Sequence, residues 1–189
     1  MDPETPSRRR IFRKILAAAA VSGLIYLVVT HGLGVFIISS GSMRPTLQPR
    51  DWVLVNRFTY RLRPPNRGDI VVFRFPQVDG QEFIKRIIGL PGDIVDEHDG
   101  EFWVNGAPLD GPYTRHLEVS LVPVGDPGAR RVPAHQVFVL GDNPAASLDS
   151  RFWGTVDERQ VIGKALMICW SRGTHWWDIR WGRIGRWLR

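Results

Sequence analysis

The chain has 189 residues, one cysteine and a formal net charge of +6, a length that suits one medium-sized domain with or without an appendage. A single thiol excludes an internal disulfide and a cysteine-based metal cluster. The positive charge sits at the ends (+3 over residues 1–14, +4 over residues 171–189) and the 156 residues between sum to −1, which argues against a nucleic-acid partner, whose site would need a basic stripe on the folded body.

From Ile15 to Ile38 there are 24 residues without Asp, Glu, Lys or Arg. A helix needs about 20 such residues to cross the hydrocarbon core of a bilayer. The densest part is Ile15–Val29, and Gly32 and Gly34 predict an end nearby. Arg8, Arg9, Arg10, Arg13 and Lys14 precede it, which predicts a cytoplasmic N-terminus and a body on the far side. A cleavable signal peptide has the same basic start and apolar core. Cleavage near Ser39–Gly41 would, however, cut into the serine-rich motif that follows, so a retained anchor is the preferred reading. The expected organisation is a cytoplasmic N-terminus (1–14), a transmembrane anchor (15–34), a β-rich extracytoplasmic domain (35–175) and a Trp/Arg-rich tail (176–189). Ser42 follows the expected helix end by about ten residues, at most ~35 Å of extended chain. Chemistry at Ser42 would therefore take place close to a bilayer surface.

The body reads as short β-type runs: Asp51–Arg57, Asp69–Phe75, Glu82–Ile88, Phe102–Val104, Gln136–Leu140 and Val161–Trp170. Pro64-Pro65-Asn66-Arg67-Gly68, Pro91-Gly92-Asp93 and Asn105-Gly106 supply turns, because Pro fixes φ while Gly and Asn tolerate positive φ. No long stretch of the body shows helical periodicity. The expected fold class is all-β: a mostly antiparallel β-sheet catalytic domain with a single N-terminal transmembrane helix and Pro/Gly-rich insertions around 108–133. Cys169 lies in the apolar run Ala165–Trp170, where a buried structural role is expected. In the tail, Trp177, Trp181, Ile184 and Leu188 fall on one face of a hypothetical helix, with Arg180, Arg183 and Arg186 off it. Two readings fit this stripe: contact with the membrane interface, where Trp and Arg are favoured, and packing on the β body.

The chemistry-bearing residues lie in three blocks. Ser39-Ser-Gly-Ser-Met-Arg-Pro-Thr-Leu47 follows the apolar segment, Phe83-Ile-Lys-Arg86 comes next, and Gly141-Asp-Asn-Pro-Ala-Ala-Ser-Leu-Asp-Ser-Arg-Phe-Trp-Gly154 closes the set. A serine hydroxyl is a poor nucleophile until a base takes its proton. Lys85 is such a base only if burial lowers its pKa toward neutrality, and Phe83, Ile84, Ile87 and Ile88 can supply that burial.

These three blocks, in this order after an N-terminal anchor, resemble the bacterial type I signal peptidases, which remove signal peptides with a serine–lysine dyad. The resemblance spans Phe36–Phe58, Arg67–Val95 and Val137–Gly154. It implies Ser42 as nucleophile and Lys85 as general base, with an oxyanion hole formed by the backbone N–H of Ser42 and the hydroxyl of Ser40. It implies that Ser147 orients the lysine by a hydrogen bond. Asp142, Asp149 and Arg151 match charged family positions and are read as structural support, Asp149 and Arg151 as an ion pair bracing the loop that carries Ser147. The chain departs from the family pattern twice. Pro144-Ala145-Ala146 stands where the family commonly has Arg-Asp-Asn, which puts the hydrogen bonding of this loop in doubt, and Ser39 stands where Pro is usual.

The family's preference for small residues one and three positions before the cut (Ala-x-Ala) implies small apolar pockets. Phe36, Ile38 and Ile84 stand at matching positions, with Leu47 as a further candidate; the plain alternative is that these residues are core. Spaced two apart, Phe36 and Ile38 would share one side of a strand that an extended substrate could join. His98, His116, His135 and His175 show no metal-ligand spacing and are expected in exposed loops. No metal or cofactor is expected. The implied partners are preproteins with signal peptides and membrane lipid, and the expected state is a monomer in the bacterial inner (cytoplasmic) membrane. Two further readings remain: a specialised processing enzyme acting on few substrates, such as one for a conjugative pilin precursor or a mitochondrial inner-membrane peptidase, and an inert membrane adaptor that kept the fold for binding.

Overall fold

The computed structural model describes residues 8–78, 80–98, 101–109 and 130–188. It opens with α1 (Arg8–Gly32), which starts seven residues before the expected anchor because Arg and Lys are good helix formers and extend it. Among the described residues, no helix is long and apolar enough to cross a membrane. The side chains of residues 24, 25 and 27–31 lie outside the described set, and a spanning role for this segment is an expectation read from its sequence. The helix passes into β1 (Leu33–Ile37) with no intervening residue.

The body continues with β2 (Asp51–Asn56), α2 (Thr59–Leu62), β3 (Ile70–Arg74), β4 (Glu82–Gly89), β5 (Ile94–His98), β6 (Glu101–Val104), β7 (Ala107–Pro108), β8 (Arg130–Arg131) and β9 (Gln136–Leu140). After these come α3 (Ser150–Trp153), β10 (Val156–Asp157) and β11 (Val161–Ser171). All pairings are antiparallel, in a seven-stranded sheet ordered β1-β2-β11-β3-β4-β9-β10 and a four-stranded sheet ordered β7-β6-β5-β8. The six runs read from sequence each became a strand. The short strands β7, β8 and β10 carry too few residues for a periodic signal, and β1 was hidden inside the apolar run of the anchor. At the β6–β7 hairpin, Asn105 and Gly106 take φ of 54° and 77°, the paired positive values that a two-residue hairpin loop needs.

Strand β3 explains why its apolar run is continuous rather than alternating. Ile70 and Val72 enter one core with Met43, Leu47, Val53, Val55 and Ile168. Val71 and Phe73 enter another with Ile87, Val137 and Val139. Both faces of the strand are covered, so both sets of side chains must be apolar.

The tail is not a helix. Trp181–Arg183 forms a single 3-10 turn, and Gly185 adopts φ 82°. The next residues run beside β11: Gly185 N donates to Ile168 O (2.8 Å), Ile168 N to Arg186 O (3.0 Å) and Leu188 N to Leu166 O (2.8 Å). Two glycines lower the helix propensity, while β11, paired with β3 only over residues 161–164, offers the tail a free edge. Leu188 is buried in the first core, whereas Trp176, Trp177, Trp181 and Trp187 are exposed. Cys169 is half-buried, its thiol donating to the Trp52 carbonyl. Most of the 108–133 insertion, including His116, lies outside the described residues.

Candidate active site

The nucleophile loop, residues 38–50, connects β1 to β2 and is closed by local bonds: Arg44 N to Gly41 O (3.1 Å) and Leu47 N to Met43 O (2.8 Å). Met43 and Leu47 are fully buried beneath it and pin the loop to the first core. Next to Met43, Ser42 faces Lys85 of β4, with Lys85 Nζ 2.7 Å from Ser42 Oγ. Both residues are 4% exposed. In the sheet order β1 and β4 are separated by three strands, so the loop, not strand pairing, brings the two residues together.

Burial of the Lys85 amine pushes its pKa down from 10.5 to about 8, against the opposing pull of Asp149 and Asp142, with Arg151 adding to the decrease. A neutral amine so placed can accept a proton from Ser42 Oγ along the same 2.7 Å line. The Phe83 ring lies 5.5 Å from Nζ and forms part of the apolar wall. Ser40 Oγ is 3.2 Å from Ser42 Oγ and exposed toward the cleft.

The loop 141–147 braces this pair from the other side. Gly141 N donates to Asp149 Oδ2 (3.1 Å). Asp142 is held by Arg86, Nε to Oδ1 at 2.8 Å and a terminal nitrogen to Oδ2 at 2.6 Å. Asn143 N donates to Ser42 O (2.9 Å), and Asn143 Nδ2 donates to Gly41 O (3.1 Å). Three consecutive residues therefore tie the loop to three different parts of the site. A Cβ on Gly141 would lie 2.2 Å from Ser147 Oγ and 2.5 Å from Ser42 O, closer than any real contact.

Asp149 and Arg151 form an ion pair, Nε to Oδ1 at 2.8 Å. Arg151 also donates to Pro144 O (2.8 Å) and Ser147 O (3.3 Å). Pro144–Ala146 forms a 3-10 turn with Ala146 N bonded to Asn143 O (3.1 Å). The loop thus retains its hydrogen bonds through backbone carbonyls although Pro144-Ala145-Ala146 offers no polar side chain.

Two sequence expectations fail here. The bond expected from Ser147 to Lys85 is not formed: Ser147 Oγ is buried without a hydrogen-bond partner, because the side chain is turned against Gly141. Leu47 does not line the cleft; it belongs to the core under the loop. The cleft, of about 280 Å³, is walled by Phe36, Ile38, Val72, Ile84 and Leu148 and reaches Ser40, Ser42 and Lys85. Phe36, Ile38 and Ile84 thus both line the cleft and pack on the core.

Arg86, Asn143 and Leu148 were not found from sequence as members of the site. Arg86 had one usable signal, since the residue after Lys85 on a strand must face the opposite side. Among the described residues no histidine lines the cleft; His135 is exposed and His175 stacks on Trp177. No group of His, Cys, Asp and Glu among the described residues is arranged to hold a metal ion.

A model of the family described as signal peptidase, peptidase S26, matches residues 8–170. The chain belongs to that family. It is 38% identical over 156 residues to a signal peptidase I of Leptolyngbya laminosa, covering 76% of this chain and 74% of that one. It is 33% identical over 179 residues to a signal peptidase I of Bacillus caldolyticus, covering 90% and 95%. A crystal structure of a signal peptidase I from Enterococcus faecalis V583 shares 32% identity, with a TM-score of 0.44 over 54% of this chain and 97% of that chain.

Proposed function

We propose that this member of the signal peptidase family is a membrane-anchored serine endopeptidase that cleaves signal peptides after small residues, with Ser42 as nucleophile and Lys85 as general base. The observation that carries this reading is the 2.7 Å approach of a buried amine, its pKa lowered to about 8, to a buried serine hydroxyl. Ser42 Oγ attacks the scissile carbonyl while neutral Lys85 takes its proton. The tetrahedral oxygen is received by the Ser42 N–H and the Ser40 hydroxyl, each such donor supplying about 3 kcal/mol. The ammonium of Lys85 then protonates the leaving amine, and the regenerated neutral amine deprotonates the water that hydrolyses the acyl-enzyme.

Specificity follows from the cleft walls. Phe36, Ile38 and Ile84 wall the cleft with apolar surface suited to small side chains, and β1 is the edge strand of its sheet, so an extended peptide can pair with it. The membrane reading is supported by the direct passage of α1 into β1, which places Ser42 within ~35 Å of the helix end. Exposed Val35, Ile37, Trp52, Trp181 and Trp187 add an apolar surface, with residues suited to the bilayer interface. On this reading the enzyme is a single-pass monomer, its N-terminus cytoplasmic and its catalytic domain extracytoplasmic.

The test is cleavage of a preprotein carrying Ala-x-Ala by purified full-length protein. Wild type should cut after the second Ala, and Ser42→Ala or Lys85→Ala should lose about ten-thousand-fold or more. Undiminished cleavage by both variants would reject the mechanism.

A further inference from the structure

Asp51, at the start of β2, is fully buried and lies nine residues beyond the nucleophile. Its carboxylate is shared by two arginines of the C-terminal tail. Arg183 approaches with Nε at 3.3 Å from both oxygens and a terminal nitrogen 2.6 Å from Oδ2. A terminal nitrogen of Arg180 lies 3.2 Å from Oδ1. Ser171 Oγ donates to Oδ1 (2.6 Å) and Gln48 N to Oδ2 (2.8 Å). These donors hold the Asp51 carboxyl below the ordinary carboxylate value in spite of its burial, which acts in the opposite direction.

The same arginines reach into the nucleophile loop itself. Arg183 donates to Thr46 O (2.9 Å), four residues from Ser42. Arg180 donates to Pro49 O (2.8 Å) and to the Gln48 side chain. Arg50 returns the contact, donating to Gly173 O (3.0 Å). Leu188 closes the set from within, packed in the core that also holds Met43 and Leu47. The side-chain bonds from Arg180 and Arg183 thus fall on Thr46, Gln48, Pro49 and Asp51.

From these contacts we infer that the C-terminal tail is a strap that sets the position of Ser42, with Arg183 and Arg180 as positioning residues acting through Asp51 and the Thr46 and Pro49 carbonyls. The physical reason is geometric. The loop is held by Asn143 and by Met43 and Leu47, and its return segment 46–51, besides its bonds to Ile38 and Ser171, takes side-chain bonds from the tail arginines. A planar guanidinium bonds a carboxylate and a carbonyl at once through a rigid fork, whereas an ammonium on a flexible stem has no such fixed geometry. Displacing a reacting group by about 1 Å costs on the order of a hundredfold in rate. The tail therefore has a catalytic consequence without touching substrate.

This inference rests on the proposed Ser42–Lys85 chemistry, and its test separates the two. Full-length wild type, Ser42→Ala, Arg183→Gln and Arg183→Lys are compared for kcat and KM on an Ala-x-Ala preprotein at pH 9, alongside thermal unfolding. The expected result is that Arg183→Lys stays folded at the assay temperature with KM within about twofold, yet loses tenfold or more in kcat. Arg183→Gln should lose more. Wild-type kcat in a folded Arg183→Lys protein, with only the unfolding temperature lowered, would overturn the inference and make the tail a stability element. Failure of both variants to fold would also overturn it, for the same reason. Wild type without activity, or active Ser42→Ala, would sink the underlying reading instead.

Discussion

Lys85 and Arg86 are consecutive on β4 and face opposite sides of it: Lys85 Nζ meets Ser42 Oγ at 2.7 Å, and Arg86 grips Asp142 with two nitrogens at 2.8 and 2.6 Å. The period of two along a strand thus turns one dipeptide into both the partner of Ser42 and the anchor of the loop that braces it.

On the proposed mechanism the base must be uncharged to act, so the pH dependence has a definite sign. Below about pH 8 Lys85 is protonated and kcat/KM should fall tenfold per unit; above it the rate should level off. Between about 8 and 10.5 the unfolded chain holds a proton on this amine that the native protein lacks, so folding stability should rise with pH across that window. A pH–rate profile and denaturation at pH 7 and 10 check both. A limb near 10.5 would show a hydrated amine.

Arg86 and Asp142 are 2% and 0% exposed in their side chains. Removing one partner leaves a buried charge alone, at a cost of about 3–5 kcal/mol. Arg86→Met should therefore unfold at markedly lower denaturant concentration than wild type, and Arg86→Met with Asp142→Leu should recover part of the loss. Chemical denaturation measures both.

Gly141 has no room for a methyl group, since a Cβ would meet the backbone oxygen of Ser42 at 2.5 Å. Gly141→Ala should cost roughly 1–3 kcal/mol of stability through overpacking and depress kcat, because the atom displaced is the nucleophile's own carbonyl. Kinetics at saturating substrate, with unfolding as control, decide it.

Ser40 offers a hydroxyl 3.2 Å from Ser42 Oγ. Ser40→Ala should lower kcat about a hundredfold to a thousandfold with little change in KM, and Ser40→Thr should retain most activity. Equal losses in both would assign the residue to loop packing.

The exposed tryptophans predict a lipid contact. Replacing Trp176, Trp177, Trp181 and Trp187 with Ser should blunt the blue shift of tryptophan emission on adding vesicles of anionic phospholipid. An unchanged shift would mean that these rings stay in water.

The sequence alone determined the antiparallel β architecture, because alternation, β-branched runs and Pro/Gly turns are local signals that each strand carries by itself. It also singled out Ser42 and Lys85 as a pair, because three motif blocks occur in one order, and the structure sets their side chains 2.7 Å apart. What it could not supply was anything set by contact across the chain. The tail read as a helix because its apolar spacing fits one, yet the open edge of β11 and the buried charge of Asp51 drew Arg180, Arg183 and Leu188 into a different path. Ser147 read as the partner of Lys85, but its hydroxyl is turned toward Gly141. The lowered pKa of Lys85 likewise comes from the tertiary structure, since burial depends on which side chains surround an amine and not on those that precede it in the chain.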